Sequence, residues 1–318
     1  MKPMEPLRVV LHPVHPPGVD AVLANMQDVE LLRPTDTAAV VDALSDRGQV
    51  LVTHTWSDKF LTPSLRWIAG TGAGVEQYPL DQLSKRGVVL TTAAGVHAAC
   101  VAEHAFALML ACTRRLGESV RNMTDRRWLP LVGDEVGGKR LLIVGMGRIG
   151  EEIARRARAW DLSVAGVKRN PTNYTGCLTD VGGPNEIRTL CEWADIVMVT
   201  APATPETRNL IGAEELELLG DGWLVNVGRG SLIDEKALVR ALTIGELRGA
   251  GLDVTANEPL DPDSPLWGLP NVILSAHNAG NSPNFGIRWA SLFRDNFQAF
   301  AGKAEWRNRV PSSTGALP

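Results

Sequence analysis

Short apolar segments alternate with helix-length segments along this chain, and this alternation constrains its fold more than any other feature. The apolar segments are rich in Val, Leu and Ile and are bounded by Pro, Gly or Asp, which is typical of buried parallel strands. The first hundred residues hold five of them, at 7–11, 29–32, 49–53, 66–69 and 88–91. This pattern predicts an α/β unit built on a parallel sheet.

A second series of strands follows a helical segment at 98–116 and a polar stretch that contains Pro130. Each strand is separated from the next by enough residues for a crossover, which favours a doubly wound parallel sheet. The six predicted strands lie at 141–144, 163–167, 195–199, 223–227, 251–254 and 271–275. A last helix is expected at about 282–301, because its apolar positions recur at helical spacing.

The charge balance and the length of the apolar runs exclude several classes of protein. Subtracting 36 acidic from 32 basic residues leaves a net charge of −4, so we expect neither a nucleic acid nor an anionic membrane surface as a partner. Apolar stretches such as 105–112 are far shorter than the roughly 20 residues of a membrane-spanning helix, and the first six residues lack a signal-peptide core. We expect a soluble, cytoplasmic protein. The four cysteines show no CxxC spacing, so neither a metal site nor a disulfide framework is expected.

A glycine-rich turn, GxGxxG, lies directly between a predicted strand and a predicted helix at residues 141–150. Gly145 permits the tight turn, Gly147 lets the backbone approach a pyrophosphate, and Gly150 lets the helix pack closely on the strand. Unpaired amides and the helix dipole then favour a negative charge at the helix N-terminus. The turn therefore predicts a dinucleotide site.

The end of the next strand indicates which dinucleotide is bound. A site that prefers NAD usually ends this strand with Asp or Glu, which accepts hydrogen bonds from the adenosine ribose. Here the residues are Lys168, Arg169 and Asn170, and two cations suit a 2′-phosphate. We predict NADP, with NAD possible. The alternative is that both cations are solvated loop charges.

Three polar residues follow other strands of the second series: Arg229, Glu258 and His277. Because the carboxyl ends of parallel strands meet at one edge of a sheet, these side chains can converge with the glycine-rich turn. Taken singly, each could equally be a surface charge or a hydrogen-bonded histidine. Their ordered positions at strand ends favour a catalytic interpretation.

Four segments, 141–150, 226–231, 251–259 and 274–280, resemble motifs of the D-2-hydroxyacid dehydrogenase family, which includes glyoxylate/hydroxypyruvate reductases and phosphoglycerate dehydrogenases. The resemblance implies two doubly wound parallel-sheet domains. One is a flavodoxin-like substrate domain, residues 1–97, completed by the C-terminal helix within 283–318. The other is a Rossmann dinucleotide-binding domain, residues 98–282. A homodimer is also implied.

The resemblance assigns chemistry to the strand-end residues. Arg229 would hold the substrate carboxylate and polarise its keto oxygen, His277 would be the acid/base, and Glu258 would pair with His277. Hydride transfer develops negative charge on the keto oxygen, which a proton from an imidazolium neutralises. A glycine-rich loop would present backbone amides to the substrate carboxylate through Gly72, Gly74 and Val75; the alternative is a flexible surface turn.

The remaining predicted contacts concern the cofactor. By resemblance Asp253 would lie near the nicotinamide carboxamide, although alone it could cap a helix, and Glu103 and His104 would serve hinge packing. The predicted cofactor-binding residues are Gly145, Met146, Gly147, Arg148, Ile149, Gly150, Lys168, Arg169, Asn170, Ala201, Pro202 and Asp253.

Together these features predict an oxidoreductase that transfers a hydride from NADPH to a small 2-keto acid, of the glyoxylate or hydroxypyruvate type, to give the D-2-hydroxy acid. Two alternatives stay open at this point. One is an NAD-dependent D-2-hydroxyacid dehydrogenase such as a phosphoglycerate dehydrogenase. The other is a dinucleotide-sensing, corepressor-like binding protein, which the presence of Arg229, Glu258 and His277 disfavours.

Overall fold

The computed structural model describes residues 6–311, which divide into two compact units. The first unit holds residues 6–97 and 281–311, and the second holds residues 98–280. The two ends of the predicted substrate domain, 1–5 and 312–318, lie outside the described residues. The chain therefore leaves its first unit once and returns to it with its last helix.

Strands and helices alternate through both units. The first ninety residues form β1 (Leu7–Leu11), α1 (Val19–Ala24), β2 (Val29–Leu32), α2 (Thr37–Ser45), β3 (Val50–Thr53), β4 (Trp67–Gly70), α3 (Leu80–Lys85) and β5 (Val89–Thr91). The second unit and the returning helix form α4 (Ala98–Thr113), α5 (Leu116–Thr124), β6 (Arg140–Val144), α6 (Arg148–Ala157), β7 (Ser163–Val167), β8 (Val181–Gly182), α7 (Ile187–Trp193), β9 (Ile196–Val199), α8 (Ala213–Leu219), β10 (Trp223–Asn226), α9 (Glu235–Ile244), β11 (Gly249–Leu252), β12 (Val272–Leu274) and α10 (Phe285–Phe300).

The first unit is built on a five-stranded parallel sheet in the order β2-β1-β3-β4-β5, the flavodoxin-like order. Helix α10 closes one face of this sheet with aromatic side chains. The ring of Phe293 stacks on Trp67 with centroids 4.9 Å apart, and the Trp67 indole N–H donates to Thr91 Oγ1 at 3.0 Å. The core of this unit therefore depends on a helix that is distant in sequence, since Phe293 follows Trp67 by 226 residues.

The second unit is built on a seven-stranded parallel sheet in the order β12-β11-β10-β9-β6-β7-β8. Apolar clusters cover both of its faces, as expected for strands that read as continuous apolar runs. The strand order reverses at β6, which lies between β9 and β7. Ligands of such sheets bind at the carboxyl ends of the strands beside this reversal.

The predicted fold class, two doubly wound parallel-sheet domains, is confirmed. Three details of the prediction were wrong. Strand β11 begins and ends two residues earlier than predicted, and β8, with only two residues, gave no apolar signal. The helix predicted at 98–116 ends at Thr113, and α5 lies in the stretch predicted to be polar and irregular; between the two helices Arg115 adopts a left-handed φ of 54°.

Candidate active site

The glycine-rich turn joins β6 to α6 and is closely packed at two of its three glycines. Gly145 has φ of +113°, and a Cβ there would lie 2.5 Å from the backbone N of Ala201. A Cβ on Gly150 would lie 2.4 Å from the carbonyl oxygen of Gly145. A Cβ on Gly147, by contrast, would meet no atom within 4 Å. The turn is tight on the protein side and open where Gly147 begins the helix.

Hydrogen bonds hold this turn in place. The backbone amides of Gly145 and Met146 both donate to the carbonyl of Val167, at 3.0 and 3.1 Å, and the Thr200 hydroxyl donates to the carbonyl of Gly145 at 2.6 Å. Gly147 is the N-cap of α6 and has no side chain to occupy the first-turn amides. These features fit a dinucleotide pyrophosphate, which needs an open backbone at a helix N-terminus.

The two predicted cations after β7 have different surroundings. Lys168 Nζ donates to the carbonyl of Met146 at 2.8 Å and lies 5.9 Å from the ring centroid of Tyr174. Burial and a hydrogen bond to Glu151 raise the pKa of the Tyr174 phenol, so this ring stays neutral beside the ammonium. Lys168 thus braces the glycine-rich turn.

Arg169 and Asn170 are exposed at the same strand end. Glu206 lies in the loop that follows β9. Its pKa is lowered by a hydrogen bond from Thr204 and, to a smaller extent, by the positive charge of Arg169. In that loop Ala201 is buried against the glycine-rich turn, and Pro202 is exposed. The predicted cofactor-binding residues other than Asp253 therefore lie around the carboxyl ends of β9, β6 and β7.

His277 and Glu258, which follow β12 and β11, are in direct contact. His277 Nδ1 lies 2.6 Å from Glu258 Oε2, and the two side chains are 48% and 38% exposed. The other carboxylate oxygen of Glu258 accepts the backbone amide of Thr255 at 3.2 Å. Since a carboxylate can only accept, the Nδ1 atom of His277 carries a hydrogen, and its Nε2 is the ring atom left for a ligand.

Arg229 follows β10 and is exposed, with its guanidinium donating to the carbonyl of Gly228 at 2.8 Å. Its neighbour Gly230 packs against the loop that carries Glu258: a Cβ at Gly230 would lie 1.9 Å from the carbonyl oxygen of Thr255. The ends of β10, β11 and β12 are therefore adjacent. The structure brings together the segments that carry all three predicted catalytic residues.

Asp253 is buried and holds the loop on which His277 lies, a role that the sequence did not reveal. Its Oδ1 accepts the Ser275 hydroxyl at 2.6 Å and the Asn278 amide at 3.0 Å, and its Oδ2 accepts the Ala279 amide at 3.1 Å. Its backbone carbonyl accepts the amide of His277 at 2.8 Å. The partners lie 22 to 26 residues away, so no local motif could indicate this network.

The predicted substrate loop belongs to the first unit and follows β4. Gly72, Gly74 and Val75 are half-buried at the carboxyl edge of the five-stranded sheet. A Cβ on Gly72 would meet nothing within 4 Å, and the Gly72 carbonyl accepts the amide of Ala93 at 2.8 Å. Backbone hydrogen bonds thus hold the loop, including one from Tyr78 to the carbonyl of Val75 at 3.0 Å, and the space beside Gly72 is open.

Within residues 6–311, no three side chains of the metal-binding types lie close enough to hold an ion. None of the helices described is both long and apolar enough to cross a bilayer. Burial raises the pKa of the Cys112 and Cys191 thiols to about 12, so these two thiols are poor nucleophiles.

Residues 106–279 match the family model described as "D-isomer specific 2-hydroxyacid dehydrogenase, NAD binding domain". The chain is 36% identical over 248 residues to a glyoxylate reductase of Korarchaeum cryptofilum, covering 75% of this chain and 74% of the relative. It is 35% identical over 248 residues, with the same coverage, to a glyoxylate/hydroxypyruvate reductase of Arabidopsis thaliana.

Among solved structures, the chain is similar to an NADPH-dependent glyoxylate/hydroxypyruvate reductase of Sinorhizobium meliloti. The citrate complex of that enzyme gives a TM-score of 0.83 and 31% identity, covering 97% of this chain and 99% of the other. Its complex with NADP and malonate gives a TM-score of 0.79 and 30% identity, covering 99% of each chain. Both the sequence and the whole fold therefore match the same group of proteins.

Proposed function

The chain belongs to the D-isomer specific 2-hydroxyacid dehydrogenase family and is an NAD(P)-dependent oxidoreductase, and from this premise we propose that it reduces glyoxylate, hydroxypyruvate or a similar small 2-keto acid with NADPH. The product is the D-2-hydroxy acid. The observation that carries the proposal is the 2.6 Å contact between His277 Nδ1 and Glu258 Oε2 at the sheet edge that also holds the open glycine-rich turn.

We assign the unit formed by residues 98–280 to dinucleotide binding. NADPH would supply the hydride. The chain would hold its pyrophosphate at Gly147 and the first amides of α6, where the backbone is open and the helix dipole favours an anion. Arg148, Ile149 and the loop at Ala201 and Pro202 would complete the wall of this site.

His277 would act as the acid in the reduction. With Nδ1 held by Glu258, Nε2 of the imidazolium donates its proton to the keto oxygen while the carbonyl carbon receives the hydride, so the product hydroxyl forms in one step. Glu258 fixes the ring orientation and stabilises its charge. Arg229 would pair with the substrate carboxylate, since its planar guanidinium matches the two oxygens.

We assign the substrate domain to the first unit, with Gly72, Gly74 and Val75 presenting amides to the substrate carboxylate. Glycine leaves these amides uncovered, and the space beside Gly72 is open. Cys112, Cys177 and Cys191 are reduced thiols, which suits a reducing compartment, and we propose the cytoplasm.

For cofactor choice, we propose that Arg169 binds the 2′-phosphate of NADPH. The ammonium of Lys168 is already engaged by the Met146 carbonyl, whereas Arg169 is exposed at the strand end where the ribose of a dinucleotide lies in this fold. Asn170 would add a neutral hydrogen-bond partner.

We further propose a homodimer that covers the surface of α5 and the segment after it. Six of the eleven large apolar residues that are exposed within residues 6–311 lie there: Leu116, Val120, Met123, Trp128, Leu129 and Val132. Such a concentration is unusual for a monomer. Replacing Met123 and Trp128 with Glu should convert a dimer to a monomer in analytical ultracentrifugation, whereas Ile244→Glu, at an exposed position elsewhere, should not. A monomeric wild type would refute the homodimer.

The decisive experiment measures NADPH and NADH oxidation with a panel of 2-keto acids that includes glyoxylate, hydroxypyruvate and longer analogues. We expect turnover of a small 2-keto acid with a higher kcat/KM for NADPH. Activity only with NAD and 2-hydroxy acids would favour an oxidative dehydrogenase. Tight NADPH binding with no turnover would favour a dinucleotide sensor.

A further inference from the structure

Helix α4 places His104 against the hydrogen bonds that Asp253 makes with the loop 275–279, which carries His277. His104 Nε2 lies 2.8 Å from Ser275 Oγ and 3.4 Å from Asp253 Oδ1. The His104 side chain is 26% exposed, whereas that of Asp253 is only 1% exposed. His104 and Ser275 are 171 residues apart, so this contact is a product of the fold alone.

The direction of each hydrogen bond follows from what the atoms can donate. The Asp253 carboxylate only accepts, so the Ser275 hydroxyl, 2.6 Å away, donates its single hydrogen to it. The Ser275 oxygen is then left as an acceptor for His104. His104 Nε2 must therefore carry a hydrogen and donate it to Ser275, and the chain runs from His104 through Ser275 to Asp253.

The same carboxylate fixes the backbone on both sides of His277. It accepts the amides of Asn278 and Ala279, and the Asp253 carbonyl accepts the amide of His277. His277 itself has a left-handed φ of +48°, a conformation that is uncommon for a residue other than glycine and that contacts with its surroundings must stabilise. The hydrogen bonds of Asp253 lie directly on both sides of this residue.

We propose that His104 is a positioning residue for the reaction: by donating to Ser275 it holds the Asp253 carboxylate in the orientation that keeps His277 in register with Glu258. This inference rests on the proposed function. It is a different role from the hinge packing that the sequence analysis suggested for His104. His104 acts only through the loop 275–279 and contacts neither the substrate nor the cofactor.

The test compares His104→Leu with His104→Gln. Leucine fills the space without a donor, whereas the glutamine amide can present an N–H near the position of Nε2. We expect His104→Leu to lower kcat about tenfold or more, because small misplacements of a catalytic group are costly, and to change the Kd for NADPH less than twofold. We expect His104→Gln to recover most of that kcat.

Two further variants sharpen the result. Ser275→Ala should resemble His104→Leu, and the double variant should be no slower than the slower single variant, because both break one chain of hydrogen bonds. Glu103→Gln changes the neighbouring exposed residue, which pairs with Arg156 on the surface, and should leave kcat unchanged. Wild-type kcat in His104→Leu, or a His104→Gln variant as slow as the leucine variant, would overturn the proposal.

A readout without catalysis separates this inference from the proposed function. Amide hydrogen exchange in a peptide that covers 275–279 should be faster in His104→Leu than in the wild type and should return toward the wild type in His104→Gln. That result would support the positioning role even if the wild type reduced no 2-keto acid, an outcome that would refute only the proposed function. Unchanged exchange in His104→Leu would overturn the inference.

Discussion

The glycine-rich turn at 145–150 and the loop at 275–279, which carries His277, lie on the carboxyl edge of the same sheet, yet different contacts determine their conformations. The sequence signal for the turn lies within six residues, because Gly145 and Gly150 permit its close packing, although its hydrogen-bond partners are Val167, Thr200 and Lys168. The loop is held by Asp253 and, through Ser275, by His104, which lies 171 residues from Ser275. The sequence signal for the turn is therefore local, whereas nothing local in the sequence indicates the contacts that hold the proposed acid/base residue.

The largest effect should come from removing the proposed acid from the loop 275–279 while the glycine-rich turn stays intact. His277→Asn keeps a hydrogen-bonding side chain but has no ring proton to give, so we expect kcat to fall about a thousandfold, within the range for loss of a general acid. Fluorescence titration should show nearly unchanged NADPH affinity. Activity close to the wild type would remove His277 from the acid/base role.

The converse experiment breaks the turn and spares the loop. Gly145→Ala places a Cβ 2.5 Å from the Ala201 backbone at a φ of +113°, and we expect a loss of about 3 kcal/mol in the free energy of unfolding. Gly147→Ala has open space and should leave the unfolding free energy within about 0.5 kcal/mol of the wild type.

Both alanine variants should weaken NADPH binding, Gly145→Ala because the turn is distorted and Gly147→Ala because a methyl group separates the backbone from the pyrophosphate. Urea unfolding and NADPH titration of the two proteins measure these effects separately. If Gly147→Ala bound NADPH as tightly as the wild type, the open face of the turn would not be the pyrophosphate site.

The same contrast explains what could be predicted from the sequence. The strand, turn and helix around Gly145 carry their own signals, and so do the apolar strands that define both sheets. The pairing of Glu258 with His277 was predicted only from a family resemblance, and the two side chains are 2.6 Å apart in the structure.

The contact between His104 and Ser275 could not be predicted from the sequence, because it arises only when α4 packs against β11 and β12. The break at Arg115 was missed because its left-handed backbone is not marked by a glycine.

The smallest expected effect concerns the two cations that follow β7, Lys168 and Arg169. Only Lys168 makes a hydrogen bond to the glycine-rich turn. Lys168 supports the turn through the Met146 carbonyl, so Lys168→Ala should raise the KM for NADPH and NADH to a similar extent. Arg169 is exposed, and we propose that it contacts only the 2′-phosphate. Arg169→Ala should therefore raise the KM for NADPH about tenfold, which is the effect of losing one charge-assisted hydrogen bond. The KM for NADH should barely change. Steady-state kinetics with both cofactors measures the difference. An equal rise for the two cofactors in Arg169→Ala would show that this guanidinium does not read the 2′-phosphate, and a rise confined to NADPH in Lys168→Ala would transfer that role to the lysine.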